Sequence, residues 1–181
     1  DHDDDGHDHG NTDPHFWLGI DAVSDTAKAI SDKLIQLDPK HRQQYQDNLQ
    51  QFLRQLAVTD KTIADHLTSV LTRPYFVFHD GYGYFEEHFG LNNVGHFTVS
   101  PERKPGAKTL IQIRTQLANH QATCVFSEPQ FQPAVIKSVI GNHPVNIGVL
   151  DPLAIQIEVK QGGYFEFLNS ISDSYYDCLT Q

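Results

Sequence analysis

The sequence predicts an α/β fold in which helices flank a parallel β-sheet and one long helix precedes that sheet. Two observations support this prediction. After Thr72, apolar runs of four to six residues alternate with segments of helical periodicity, which is typical of a parallel sheet covered by helices. Before Thr72, apolar residues recur three and four positions apart, which indicates consecutive helices.

The first two predicted helices meet at Asp38 and Pro39. From Asp21 to Leu37 the apolar residues form one stripe, as expected for a helix with one buried face. The next helix begins with Asp38 as its N-cap and Pro39 at its first position, and its apolar spacing continues to Leu71. A helix on the order of 30 residues is about 45 Å long. We interpret it as a strut that joins two lobes; a coiled-coil arm is the alternative.

Four strands and four further helices are predicted after this long helix. The strands cover residues 75–78, 94–99, 123–126 and 145–150, and the helices cover residues 84–89, 107–119, 133–140 and 163–179. The strands are rich in β-branched and aromatic residues, as strands buried in a sheet usually are.

Charge and composition exclude several classes of protein. The 13 basic and 23 acidic residues give a net charge of −10 at pH 7, which disfavours binding to nucleic acid or to an anionic membrane. No stretch approaches the roughly 18 to 20 consecutive apolar residues of a membrane-spanning helix. Because the sequence contains no methionine, we expect a piece of a longer protein from which any targeting segment has been removed.

The first 15 residues contain six aspartates, four histidines and no hydrophobic residue, so we predict a loop outside the core. Its histidines His2, His7 and His9 alternate with aspartates and are expected to bind a divalent cation weakly, as an accessory site. His15 differs from them because the rigid Asp-Pro-His-Phe-Trp segment 13–17 holds its imidazole in one direction. A solvated acidic linker is the alternative interpretation of this loop.

Polar side chains follow three of the predicted strands. His79 follows the first strand, Glu128 the third and Asp151 the fourth. Because the carboxyl ends of parallel strands meet at one edge of the sheet, we expect these side chains to converge. Two imidazoles and a carboxylate are suitable ligands for a borderline-soft divalent cation, and zinc is the preferred ion. The sequence therefore predicts a Zn²⁺ site in which His15 and His79 are the principal ligands and Asp151 or water completes the shell.

The chain has two cysteines, Cys124 and Cys178. If they are bonded to each other, the protein occupies an oxidising compartment. The alternative is two unrelated buried thiols, and composition alone leaves both possibilities open.

Several motifs together resemble one known family. They are Asp-Asp-Gly-His-Asp-His-Gly at 4–10, Asp13-Pro14-His15-Phe16-Trp17-Leu18, Phe78-His79-Asp80-Gly81-Tyr82, Gly95-His96-Phe97-Thr98, Pro101-Glu102 with Pro105-Gly106-Ala107, Cys124-Val125-Phe126-Ser127-Glu128-Pro129-Gln130-Phe131 and Leu150-Asp151-Pro152-Leu153. Over essentially the whole chain, the sequence resembles the periplasmic zinc-binding receptors of ABC-type zinc importers, in the cluster A-I metal-receptor family. The resemblance implies a helical-backbone metal-receptor fold: two lobes joined by one long helix, with Zn²⁺ bound in the cleft.

The resemblance also implies roles for particular residues. His15 and His79 match metal-binding histidines, and Asp151 matches a carboxylate ligand of manganese-binding relatives. A histidine at position 79, where manganese-type relatives usually have a carboxylate, supports zinc. Cys124 and Cys178 match the family disulfide. The implied partner is a zinc ABC permease in the inner membrane, and the implied location is the periplasm.

One part of the family pattern has no counterpart in this sequence. The family has a further binding histidine in its amino-terminal lobe, so this chain resembles a receptor that lacks that lobe, which is then a second expected partner. We therefore divide the chain into residues 1–37, the His/Asp-rich loop and the end of the amino-terminal lobe, residues 38–71, the interlobe helix, and residues 72–181, a carboxyl-terminal α/β lobe.

Two other functions are compatible with the same residues. A zinc hydrolase could use two histidines, a carboxylate and an open coordination position, with Glu128 as the base. The chain shows neither a pair of histidines on one helix nor a nucleophile motif, so we predict a binding protein rather than an enzyme. The other alternative is an acidic zinc buffer, in which the His-rich loop is the whole functional site.

Overall fold

The computed structural model describes residues 13–99, 106–119, 121–130 and 134–181. The helices are α1 (Ile20–Leu37), α2 (Arg42–Leu67), α3 (Gly83–Phe89), α4 (Ala107–Ala118), α5 (Ala134–Ile140) and α6 (Gly163–Thr180), and the strands are β1 (Tyr75–His79), β2 (Asn93–Thr98), β3 (Cys124–Ser127) and β4 (Asn146–Val149). From β1 onwards each boundary lies within one residue of the sequence prediction. Within the described ranges, no helix is long and apolar enough to cross a membrane.

The four strands form one parallel sheet in the order β2-β1-β3-β4, which confirms the predicted fold class. The chain runs outward from β1 to β2, crosses back to β3 beside β1, and continues outward in the other direction to β4. Ligands of open α/β sheets bind outside the carboxyl ends of two strands whose connections diverge in this way. His79 ends β1 and Glu128 follows β3, so both residues lie at this point of the sheet.

The two faces of the sheet pack against different helices. Tyr75 and Val77 belong to a core with residues of α2, α3 and α6, whereas Phe76 and Phe78 belong to a core with residues of α4 and α5. This alternation follows from the two-residue period of a strand. Burial of both faces explains why β1 is a continuous apolar run in the sequence.

The long helix is shorter than its predicted range, 38–71. Asp38 has a non-helical backbone, a 3₁₀ turn occupies Pro39–His41, and α2 then runs for 26 residues. At its far end the chain leaves the helix because residues 67–73 form turns, in which the amides of Val70 and Arg73 bond to carbonyls three residues earlier. The buried residues of α2 all lie in its second half: Leu56, Thr59, Ile63 and Leu67.

Cys124 and Cys178 form a disulfide, as the family resemblance implied, and the alternative of two separate thiols is wrong. Both residues are buried, and their Cα atoms lie 5.9 Å apart. Because Cys124 begins β3 and Cys178 lies near the end of α6, the bond fixes the last helix to the sheet.

A buried carboxylate joins α3 to three other elements. Glu86 Oε1 accepts hydrogen bonds from the hydroxyls of Tyr75 at 2.9 Å and Tyr175 at 3.2 Å, and the amide of Asn93 donates to both of its carboxylate oxygens. Burial raises the pKa of Glu86, although these hydrogen bonds act in the opposite direction.

Candidate metal centre

Two imidazoles from distant parts of the sequence meet at the carboxyl edge of the sheet. His79 is the last residue of β1, and this residue is 3% exposed. His15 directly precedes the 3₁₀ turn at Phe16–Leu18. Their Nε2 atoms lie 3.3 Å apart. Two nitrogens bound to one tetrahedral Zn²⁺, each at 2.0–2.1 Å, are separated by about 3.3–3.4 Å. The spacing of the two rings therefore fits two ligands of a single zinc ion.

The second nitrogen of each ring bonds to a carboxylate. His79 Nδ1 contacts Glu128 Oε1, and His15 Nδ1 lies 2.6 Å from Asp13 Oδ1. Since an ionised carboxylate only accepts hydrogen bonds, Nδ1 carries the proton in each neutral ring and Nε2 keeps its lone pair. Carboxylate–histidine pairs of this kind orient metal-binding imidazoles and increase their basicity. Both Nε2 atoms therefore have a lone pair available to bind a cation.

The loop after β1 leaves room for the His79 ring only because residue 81 is glycine. A Cβ atom at Gly81 would lie 2.3 Å from His79 Nε2, which no real contact allows. The next residue, Tyr82, is buried and donates from its hydroxyl to Glu128 Oε1 at 3.0 Å. Burial raises the pKa of Tyr82 well above its ordinary value, and the charges of Glu128 and Asp151 raise it further.

The segment that bears His15 is anchored to the carboxyl-terminal part of the chain. The indole nitrogen of Trp17 donates to the Pro152 carbonyl at 2.9 Å, and the Tyr164 hydroxyl donates to the Trp17 carbonyl at 2.8 Å. The Trp17 ring also packs edge-on near the His15 ring, with centroids 5.3 Å apart. These contacts hold His15 against the sheet edge from which His79 projects.

Asp151, the third predicted ligand, has other partners. Its Oδ1 atom accepts hydrogen bonds from Gln130 Nε2 at 2.8 Å and from the Leu153 amide at 3.2 Å, and its Oδ2 atom accepts from the Ile155 amide at 2.7 Å. In the part of the chain that the structure describes, no three His, Cys, Asp or Glu side chains are grouped closely enough to hold a metal ion. The structure thus brings His15 and His79 together, and Asp151 is engaged in the loop after β4.

The remaining predicted residues fall into two groups. His2, His7 and His9 lie outside the described residues. Glu128, considered in the sequence as a hydrolytic base, contacts His79 and Tyr82. Sequence reasoning did not identify Asp13 or Gln130 as parts of the site; Asp13 stands two positions before His15, a spacing at which an aspartate often bonds to nearby backbone or side-chain groups.

An α/β lobe with paired imidazoles at its sheet edge, preceded by a long helix, is the arrangement expected of a metal receptor of the solute-binding class. The sequence model of the ZnuA family, described as "Zinc-uptake complex component A periplasmic", matches residues 1–178. The chain belongs to the ZnuA family.

Individual relatives agree with this assignment. The high-affinity zinc uptake system protein ZnuA of Yersinia pestis is 48% identical over 175 residues, which are 97% of this chain and 55% of that protein. A crystal structure of ZnuA has a TM-score of 0.79 and 27% identity and covers 92% of this chain and 60% of that one. A zinc-bound deletion mutant of ZnuA has a TM-score of 0.76 and 28% identity, covering 92% and 61%. The chain spans about half the length of the curated relatives it matches.

Proposed function

We propose that this chain is the metal-capturing part of a periplasmic solute-binding protein that binds Zn²⁺ with high affinity and delivers it to an ABC-type zinc permease in the inner membrane. The observation that carries this proposal is the 3.3 Å separation of His15 Nε2 and His79 Nε2, which equals the spacing of two zinc ligands. Membership of the ZnuA family supports zinc as the transported ion and the periplasm as the location.

In this proposal His15 and His79 hold the ion through Nε2, and Asp151 or water completes the shell on this side of the cleft. Glu128 and Asp13 keep the two rings in the binding tautomer. The histidines His2, His7 and His9 form an accessory site that captures zinc weakly, because ordering a polar loop around each ion costs conformational entropy.

The partner that completes the cleft is the amino-terminal lobe of the same receptor. Helix α1 exposes apolar side chains along one face, with Ile30 at 55%, Leu34 at 39% and Leu37 at 71% exposed. The first half of α2 buries no residue, so the groove between α1 and α2 has an uncovered apolar side. We propose that the part of the relatives without a counterpart here packs on this side and supplies further ligands.

Hydrolysis by the same site is disfavoured by the position of Glu128. That residue is 4% exposed, and its Oε1 atom already accepts hydrogen bonds from His79 and Tyr82. A carboxylate held in this way orients an imidazole, whereas a general base must face an attacking water. We therefore propose a transport function without catalysis.

The test uses the protein together with the amino-terminal lobe that the proposal assigns to it, expressed in a cell that lacks its own zinc receptor. We expect the unaltered protein to restore growth in zinc-limited medium and the His79→Ala variant to fail, with added zinc rescuing both strains. Equal growth of the two strains without added zinc would contradict the proposal. Zinc-dependent hydrolysis of ester or peptide reporters by the purified protein would instead support the hydrolase. Loss of the tightest zinc-binding event on deletion of residues 1–12 would support the buffer.

A further inference from the structure

We infer that Gln130 determines the metal preference of this site by holding the Asp151 carboxylate in the loop after β4, so that water rather than Asp151 completes the zinc shell. The inference rests on the proposed function, because it concerns the same pair of imidazoles. It assigns a role to a residue that is not itself a ligand.

The first step is the number of hydrogen bonds that Asp151 already accepts. Gln130 Nε2 and the Leu153 amide both donate to Oδ1, at 2.8 and 3.2 Å, and the Ile155 amide donates to Oδ2 at 2.7 Å. A carboxylate has about four lone-pair positions, so three of them are used and Oδ1 is fully occupied. A metal ion can bind Oδ1 only by displacing one of these donors. Oδ2 keeps one lone pair, but no third His, Cys, Asp or Glu side chain among the described residues is grouped with His15 and His79 closely enough to hold an ion.

The second step separates the role of Gln130 from that of the backbone. The two backbone bonds come from residues two and four positions after Asp151, which is how aspartate commonly stabilises a turn. Gln130 is the one side chain, among the described residues, that donates to this carboxylate, and it comes from the loop after β3 rather than from the same loop. The bond therefore joins the loop that contains Glu128, which orients His79, to the loop that contains Asp151.

The third step concerns the kind of ligand that each metal prefers. Imidazole suits Zn²⁺, whereas carboxylate oxygen suits Mn²⁺. A site that keeps its carboxylate bonded to an amide offers two imidazoles and favours zinc. If the same carboxylate were free to turn toward the ion, the added oxygen ligand would favour manganese. The preference for zinc would then depend on keeping the Asp151 carboxylate away from the ion, as well as on presenting two imidazoles to it.

The test titrates the 181-residue chain with Zn²⁺ and, in separate samples, with Mn²⁺, and it compares the two affinities. In the Gln130→Leu variant, which keeps the size of the side chain but lacks the donor, we expect the ratio of zinc to manganese affinity to fall roughly tenfold or more. That change corresponds to one hydrogen bond to a charged group. The control is Gln121→Leu. Gln121 is exposed and precedes β3, at the opposite edge of the sheet, so its replacement should leave the ratio of zinc to manganese affinity unchanged.

A double variant links the effect to Asp151. Adding Asp151→Asn to Gln130→Leu should abolish the gain in manganese affinity, because the released ligand is then uncharged. Asp151→Asn alone should change zinc affinity by less than about threefold, since a non-ligand is altered. An unchanged ratio in Gln130→Leu would overturn the inference. So would an Asp151→Asn variant that loses as much zinc affinity as His79→Ala, because Asp151 would then be a ligand.

X-ray absorption spectra of the zinc-loaded chain give a second readout that does not depend on the folding of a Gln130 variant. We expect the same nearest-neighbour shell for the unaltered chain and for Asp151→Asn, and a different shell would overturn the inference. The proposed function fails in a distinguishable way. If the proposed function is wrong, His79→Ala binds zinc as tightly as the unaltered chain does, whatever result the Gln130→Leu variant gives.

Discussion

His15 and His79 are 64 positions apart in the sequence, and their Nε2 atoms lie 3.3 Å apart in the structure. Neither nitrogen carries a proton in the neutral tautomer that the carboxylates of Asp13 and Glu128 select. Two lone pairs that face each other across this distance have no proton to share. A cation between them would bind both, which is the central element of the metal site proposed for this chain.

The glycine at position 81 provides a steric test of the site. In Gly81→Ala the new Cβ would meet His79 Nε2 at 2.3 Å, so the ring must move and zinc affinity should fall by more than about tenfold. The matched control is Gly106→Ala, where the new Cβ would lie 4.0 Å from the nearest atom, an ordinary contact away from the two imidazoles. Zinc competition titrations measure both. Equal affinity of the two alanine variants would show that the ring position does not matter for binding.

The carboxylates of Glu128 and Asp13 should raise the zinc affinity although neither of them binds the ion. Glu128→Gln keeps the shape of the side chain and an acceptor for His79 Nδ1, but it removes the charge that raises the basicity of the ring. We expect zinc affinity to fall roughly 10- to 100-fold, as for other partners of metal-binding histidines, and Asp13→Asn should act in the same direction. Glu166→Gln, on the exposed part of α6, is the control. Unchanged affinity in Glu128→Gln would exclude an orienting role.

Much of this arrangement could be predicted from the sequence. The βα alternation after Thr72 gave element boundaries close to those observed, because each strand is a continuous apolar run and each helix has a clear apolar stripe. His15 was predicted as a site residue because it stands in the rigid 13–17 segment, and His79 because it follows a strand at the carboxyl edge of the sheet; the family resemblance implied the same two residues. The start of α2 was predicted too early, since the N-cap and proline signals at 38–39 are equally compatible with the 3₁₀ turn that forms there.

The partners of the site residues could not be predicted. A sequence shows that Asp151 follows a strand, but it does not show whether the carboxylate turns toward the metal or accepts bonds from its own loop and from Gln130. The same limit applies to Glu128, which was interpreted as a possible base. Its contact with His79 depends on β3 lying beside β1, and strand order cannot be derived from the order of the elements in the chain.

The disulfide should contribute substantially to stability. It joins residues 54 positions apart, so its reduction frees a long loop in the unfolded chain and should lower the free energy of unfolding by roughly 2 to 5 kcal/mol. Urea unfolding of the metal-free chain with and without reductant measures this difference. The double variant Cys124→Ala with Cys178→Ala should be insensitive to reductant. An equal response of both proteins to reductant would mean that the bond is not the cause.

Glu86 should make stability depend on pH. Because burial raises its pKa in the folded state above the unfolded value, the unfolded chain ionises first as pH rises. Below the unfolded pKa of about 4.5 the carboxyl is protonated in both states and does not lower the free energy of unfolding. As pH rises from there through the folded pKa, the unfolded chain loses its proton first, so the free energy of unfolding falls. Urea unfolding at several pH values should show that Glu86→Gln gains stability relative to the unaltered chain as pH increases.

The control for this pH effect is Glu87→Gln, on the exposed side of the same helix. Its stability relative to the unaltered chain should change little over the same pH range. If Glu86→Gln and Glu87→Gln gave parallel curves, the pH dependence would come from the overall charge of the chain and not from the buried carboxyl.

The most direct test of the central claim is zinc affinity after replacement of single histidines. His79→Ala and His15→Ala each remove one of the two facing Nε2 atoms, so each should weaken zinc binding more than the carboxylate variants do, by over about 100-fold. His143→Ala is the matched control, because His143 precedes β4 at the opposite edge of the sheet. Competition titrations should show large losses for the first two variants and none for the third. Equal affinities for His79→Ala and His143→Ala would contradict the claim that His15 and His79 bind the ion.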